Sequence, residues 1–218
     1  MLPPKRERTR AKLLEVTQRI AVDKGASALT FRDICYAADM SPGTIYNYYR
    51  TLEQIYEDIE TMVTAVYHHA IDQIVEGVDD PGEVIAYSTR QTLYTAAISG
   101  GVIGKLCFQA NIPQERFTES IRTRFAKDMA NAMQSGLFQI DNPQVVLSMA
   151  SGAMFSAMTD LYKGKLPIES IDELTEVHLR MMGMDKSVAA TYARRPIQYS
   201  PIAELPLSPY DWLAPLDA

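Results

Sequence analysis

Apolar residues recur along this chain at intervals of three and four, the spacing of one face of an α-helix. Leu13, Leu14, Thr17, Ile20 and Ala21 make the first such stripe and predict a helix over about 6–24, with Gly25 placed to end it. Phe31, Ile34, Cys35 and Ala38 make a shorter stripe behind Thr30, a hydroxyl residue suited to cap a helix start. Ser41 and Pro42 announce a third helix over about 42–49, since proline at the first helical position loses no hydrogen bond. Asp39 lies between the two and tolerates the left-handed backbone that reverses a chain. Ile55, Ile59, Met62, Val63, Val66, Ala70, Ile71 and Ile74 predict a long helix over about 52–75, stopped by Gly77 and the run Asp79-Asp80-Pro81-Gly82.

The same spacing continues beyond Pro81. It predicts helices over about 83–98, 113–137, 141–162 (capped by Asp141) and 168–182, with a shorter piece ending near Asn111 and broken by Gly100, Gly101 and Gly104. No segment sustains the period-two alternation of a strand, so the fold class is all-α. The organisation expected is an N-terminal three-helix domain over 1–51, a larger helical domain over 52–185, and a tail over 186–218. Residues 196–218 hold five of the twelve prolines, a density that excludes regular helix. Tyr199, Tyr210, Trp212 and several leucines lie in that tail, and their burial value predicts that it packs along its own subunit or a mate.

Charge sharpens the division. The chain has a net charge of −6, but residues 1–50 carry nine Lys/Arg against five Asp/Glu, and the rest twelve against twenty-two. Positive charge concentrated on one segment of an acidic protein points to a polyanion contact made by that segment alone. Two short helices joined by a tight turn, at 30–49, form a helix-turn-helix whose second helix suits a DNA major groove. No apolar run appears long enough to span a bilayer, and the start MLPPKRERTR lacks the apolar stretch of a secretion signal, so a cytoplasmic location is expected. Cys35 and Cys107 are expected as reduced core thiols.

The pattern Arg10, Leu13-Leu14, Ile20-Ala21, Lys24-Gly25, Leu29-Thr30, Ile34, Met40-Ser41-Pro42-Gly43-Thr44-Ile45-Tyr46, Tyr48-Tyr49, Glu53 and Ile55 resembles the TetR family of one-component transcriptional repressors. Three positions depart from that pattern: Cys35 where a small residue is usual, Asp39 where glycine is usual, and Leu52 where a phosphate-contacting lysine is usual, for which Arg50 is a substitute. The resemblance implies a dimer on double-stranded operator DNA, paired through its last two long helices, and a small-molecule effector held among the helices after the head.

On the head, Thr44, Asn47 and Tyr48 are expected to face outward and Ile45 and Tyr49 inward. Pro42 and Gly43 are small enough for close approach to bases, Asn47 can pair with adenine, and Arg32 can reach guanine. Arg6, Thr30, Tyr46 and Arg50 are assigned to the phosphate backbone, which sets register, and Ser41, the helix cap, is counted among the DNA-contacting residues. For the effector, Met62, Tyr67, Tyr87, Tyr94, Phe108, Phe125, Met129 and Met158 are the candidate contacts, a set suited to an apolar or aromatic guest. The adjacent His68 and His69 point about 100° apart on a helix and cannot chelate as a pair, and no cofactor loop or catalytic motif is present. Two other function classes stay open: a helix-turn-helix regulator controlled by a protein partner at the aromatic tail, and an all-α ligand-binding protein with no DNA role.

Overall fold

A computed structural model describes residues 4–98, 101–201 and 203–212, and the side chains of those up to Tyr210. The described residues form helices and turns and no strand, as their spacing predicts. The helices are α1 (Lys5–Lys24), α2 (Phe31–Ala38), α3 (Pro42–Tyr46), α4 (Leu52–Val75), α5 (Pro81–Ala97), α6 (Glu115–Gln134), α7 (Pro143–Tyr162), α8 (Ile171–Met181), α9 (Lys186–Ala193) and a single turn, α10 (Pro209–Trp212). A π-helical turn, Gly104–Gln109, lies between α5 and α6.

The chain forms two compact units, one made of Met1–Val66, Gly100–Phe117 and Ala203–Ala218, the other of Tyr67–Ser99 and Thr118–Ile202. These cut the chain differently from the expected divisions at 51 and 185. Helix α4 contributes to both, and two segments remote in sequence return to the N-terminal unit.

In the first unit, Leu13, Leu14, Ala21, Ile34, Ala38, Ile45, Ile55 and Ile59 are fully buried. The π-turn closes on this core, with Ala26 N–H donating to Ala110 O at 2.7 Å and Leu106 and Cys107 buried beneath it. Cys107 is a core thiol, pushed up to about 12 by burial, whereas Cys35 is only half-buried and so departs from the expected core position. Gln18 on α1 is fully buried, its carboxamide holding both the N–H and the C=O of Leu207, each at 2.8 Å.

The second unit is centred on Ile85, Ala86, Met129, Ala132, Phe138, Leu147, Leu179, Met182 and Ala189. Helix α9 occupies a stretch assigned from sequence to an irregular tail, because its eight residues precede the prolines that forbid helix. Its Tyr192 packs where a Cβ on Gly82 would lie, 2.6 Å from the ring, so only glycine admits this contact. The Tyr192 hydroxyl donates to Asp80 Oδ2 at 2.9 Å, and Asp80 itself caps α5 through Gly82 N–H.

Three boundaries move. Asn142, not Asp141, caps α7, since Pro143 takes the first helical position and the cap must precede it. Residues 168–170 form a 3-10 turn ahead of α8. Helix α3 ends at Tyr46 rather than Tyr49, because Asn47 and Tyr48 donate three residues back, to Thr44 O and Ile45 O, and tighten the last turn. Helix α7 is long and apolar enough to cross a membrane by length and composition only. Its apolar content serves two faces: Leu147, Ala150, Met154, Met158 and Leu161 point into the unit, while Val145 and Met149 are exposed.

Candidate functional site

The turn between α2 and α3 is fixed by its own side chains. Thr30 and Asp33 form a capping box at the start of α2, with Asp33 N–H donating to Thr30 Oγ1 and the Thr30 hydroxyl donating to Asp33 Oδ2 at 2.7 Å. Lys24 pairs with Asp33 at 2.7 Å, and these bonds hold that carboxyl down to about 2. Asp39 ends α2 in the left-handed region, φ 54° and ψ 52°, doing what glycine does in the resembling pattern. Ser41 Oγ then accepts from Thr44 N–H to start α3.

Most of the residues expected to contact DNA lie at the surface of this scaffold, as does Tyr36 on α2, 91% exposed. Arg6, Thr30, Arg32, Ser41, Pro42, Gly43, Tyr46, Asn47 and Arg50 are exposed, Thr44 and Tyr48 are half-buried, and Ile45 and Tyr49 are buried. The Phe31 and Tyr46 rings meet at 5.2 Å, and with Arg32, Cys35 and Pro42 they line a hollow joining the start of α2 to the start of α3. One detail constrains Thr30: its hydroxyl proton is engaged by Asp33 Oδ2, so donating to a phosphate means giving up that bond, though not the capping box itself.

Within the second unit a small cavity of about 40 Å³ lies among α4, α5, α6, α7 and α8. Ile85, Ile121, Phe125 and Met154 supply apolar walls, and Tyr67, Ser88, Thr89, Thr92, Arg124, Asp128, Ser151 and His178 supply polar groups. Three of these carry a buried polar atom with no hydrogen-bond partner among the described residues: Ser88 Oγ, Arg124 Nε and His178 Nε2. His178 is neutral, lowered to about 4 by burial, and its Nδ1 lies 3.2 Å from Thr89 Oγ1. Arg124 spends another nitrogen on Asp72 at 2.6 Å, and burial raises the Asp128 carboxyl despite Arg124 beside it. A buried polar atom left without a hydrogen bond costs about 1–3 kcal/mol, which marks Ser88 Oγ and His178 Nε2 as groups suited to a partner, while Arg124 Nε has only a 4.0 Å ion pair with Asp128.

Of the eight candidate effector contacts, Tyr67 and Phe125 line this cavity. Met129 and Met158 are core, 3% and 0% exposed. Tyr87 and Tyr94 hold the segment after α9 instead: the Tyr87 hydroxyl donates to Pro196 O at 3.1 Å, and Tyr94 stacks on Tyr199 at 4.1 Å. Met62 and Phe108 belong to the first unit. The polar lining escaped the sequence because serine, threonine, arginine and aspartate on helices look like solvated faces until the neighbouring helices are known. Among the described residues no three His, Cys, Asp or Glu side chains are grouped to hold a metal. His68 Nε2 instead meets Ser120 Oγ at 2.5 Å.

Residues 13–59 match the model of bacterial regulatory proteins, tetR family, and residues 80–195, more than half of the chain, match that of the tetracyclin repressor-like C-terminal domain. No curated protein matches the chain in sequence. Among solved structures, RolR in complex with resorcinol is similar over 91% of this chain and 98% of its own, at TM-score 0.71 and 23% identity. RolR without ligand is similar over 87% and 100%, at 0.62 and 22%. Salmonella enterica GusR is similar over 83% and 98%, at 0.61 and 16%.

Proposed function

Because the chain belongs to the tetR family of bacterial regulatory proteins, we propose that it is a dimeric repressor released from a palindromic operator by a small hydroxylated aromatic effector. The DNA contacts come from Arg32 on α2, from Pro42 to Arg50 on and after α3, and from Arg6 on α1. Their exposure beside a buried Ile45 and Tyr49 supports this assignment. The N-terminal end of a recognition helix lies nearest base edges, where Pro42, Gly43 and Thr44 stand.

The observation that carries the effector reading is the set of buried polar atoms without a hydrogen bond, Ser88 Oγ, His178 Nε2 and the Arg124 Nε that faces Asp128 only at 4.0 Å, inside one apolar-walled cavity. Ile85, Ile121, Phe125 and Met154 offer apolar walls for an aromatic ring once the small cavity widens to admit it, and ring hydroxyls would supply the hydrogen bonds that the polar atoms lack. Asp128 offers an acceptor and Arg124 a donor. RolR is bound to resorcinol, a ring with two hydroxyls, which agrees with this chemistry. Release then follows from the effector's greater affinity for a conformation in which the heads no longer match their half-sites.

Pairing through α7 and α8 is supported by an exposed stripe. Val145, Met149 and Val177 are 56%, 64% and 46% exposed, and Gly152, one turn beyond Met149, has nothing of its own chain within 4 Å of an added Cβ. Small residues there let a second helix approach closely. Control by a protein partner docked on the tail is less favoured, since Tyr199, Ser200 and Leu207 are already engaged within the chain.

Thermal denaturation with resorcinol, phenol and toluene tests the effector class. Resorcinol raising the melting temperature more than phenol, and toluene least, is the expected order. Equal shifts, or none, would remove the hydroxylated-ring reading.

A further inference from the structure

Helix α2 carries two kinds of apolar residue on neighbouring faces. Ile34 and Ala38 are buried in the head core, whereas Phe31 and Cys35, one turn apart at the border of that face, are only half-buried. Across the turn stand Pro42 and Tyr46 of α3, both exposed, with the Phe31 and Tyr46 rings 5.2 Å apart and tilted by 34°. These four residues and Arg32 line a hollow at the surface. The head core is complete without them, since Ile34 and Ile45 fill the inner side of the same two helices and are fully buried.

The chemistry of the hollow selects its guest. Phe31, Cys35 and Pro42 offer carbon and sulfur surface, and proline has no N–H to give an anion. A phosphate seated there would lose its water and gain no donor from the Phe31 ring or from Pro42. An apolar group gains by entering, and the apolar group that base pairs expose in the major groove is the C5 methyl of thymine. Arg32 stands exposed at the rim, on a segment that carries nine Lys/Arg against five Asp/Glu, so the charge around the hollow complements a polyanion. Arginine favours guanine among the bases.

We propose, on the DNA reading given above, that the hollow of Phe31, Cys35, Pro42 and Tyr46 receives one thymine methyl in each half-site, beside the guanine read by Arg32. Phe31 and Cys35 are thereby specificity-determining residues, and neither is among the contacts expected from the sequence. Phe31 and Arg32 are consecutive on α2, so the thymine lies within about two base steps of that guanine.

The test removes the methyl alone. A duplex carrying the repeat selected by the full-length protein is resynthesised with each thymine in turn replaced by uracil, in both half-sites, which keeps every hydrogen-bonding group. One position is expected to weaken binding about fourfold per half-site in anisotropy titrations, the worth of one buried carbon. Arg32→Ala identifies the neighbouring guanine by losing discrimination there. Cys35→Leu, which fills the hollow, is expected to bind the thymine and uracil duplexes alike. A wild-type scan that is flat within two steps of that guanine, or an Arg32→Ala variant that changes preference at no base, would overturn the proposal. So would a methyl effect that survives Cys35→Leu; its loss in Thr44→Ser would then give the methyl to Thr44. A pool with no enriched repeat defeats the DNA reading itself, whereas a flat scan on a tightly bound repeat defeats the methyl site alone.

Discussion

Tyr49 donates its hydroxyl proton to Asp58 Oδ2 at 2.6 Å, joining the residue that ends the recognition turn to the second turn of α4. Arg10 on α1 completes the triangle, with Nε 3.1 Å from the Tyr49 oxygen and another nitrogen 2.6 Å from Asp58. Burial and the neighbouring carboxylate raise the Tyr49 hydroxyl above its ordinary range, so it stays a donor at any pH where the protein folds. Helices α1 and α4 and the segment after α3 thus share one polar knot at the base of the reading surface.

Tyr49→Phe removes the donor and leaves Asp58 and Arg10 to each other. A loss of about 1–3 kcal/mol is expected, the range for a hydrogen bond to a charged group. Chemical denaturation of the variant measures it, with DNA affinity falling in step with stability. A variant as stable as wild type would mean that the Arg10–Asp58 pair alone holds the turn.

On the reading surface, the substitutions separate by role. Tyr46→Ala is expected to weaken binding to every duplex by about fivefold, the scale of one hydrogen bond. Asn47→Ala should relax preference at one base position, and Arg50→Ala should lower the salt slope by about one. Anisotropy titrations over a salt series, with selected and scrambled duplexes, distinguish these outcomes. Equal loss on all sequences for Asn47→Ala would move it to the backbone contacts.

His178 makes stability depend on pH. Its folded value of about 4 lies below the ordinary 6.5, so the unfolded chain binds the proton first. The stability it contributes is full above 6.5 and is lost as pH falls toward 4, by about 3 kcal/mol over the whole window. Asp128, raised by burial, opposes the lower part of that loss. Comparing His178→Gln with wild type by denaturation between pH 7 and pH 4 should show the wild-type advantage shrinking. A constant difference would place the histidine in solvent contact.

Much of this was legible because local chemistry agreed with the tertiary outcome. Ser41-Pro42 and Thr30 are caps whatever surrounds them, and the range of α4 follows from Ile55, Ile59, Val63 and Ile71 at regular spacing. The cavity was not legible. Met129 and Met158 have the side chains of a pocket but fill the core, whereas Ser88 and Arg124 look like surface residues and line the hole. Gln18 and Gln91 were invisible for a related reason: the backbone groups they hold lie more than a hundred residues away.

Met149→Lys puts a charge on the exposed stripe of α7, at a residue that does not itself line the cavity. Sedimentation should show a dimer for wild type and a shift of at least tenfold toward monomer for the variant, with helix content unchanged. A dimer that survives both Met149→Lys and Val177→Glu would locate the pairing face elsewhere.

The central claim is that the surface from Pro42 to Arg50 reads DNA as a pair and lets go when the cavity fills. Selection of duplexes from a random pool by the full-length protein, repeated with resorcinol present, tests both halves together. Enrichment of an inverted repeat that is lost in Asn47→Ala/Tyr46→Ala, and suppressed by resorcinol in wild type but not in Arg124→Met, is the predicted result. A pool without any enriched repeat, or a repeat still enriched by the double variant, would contradict it.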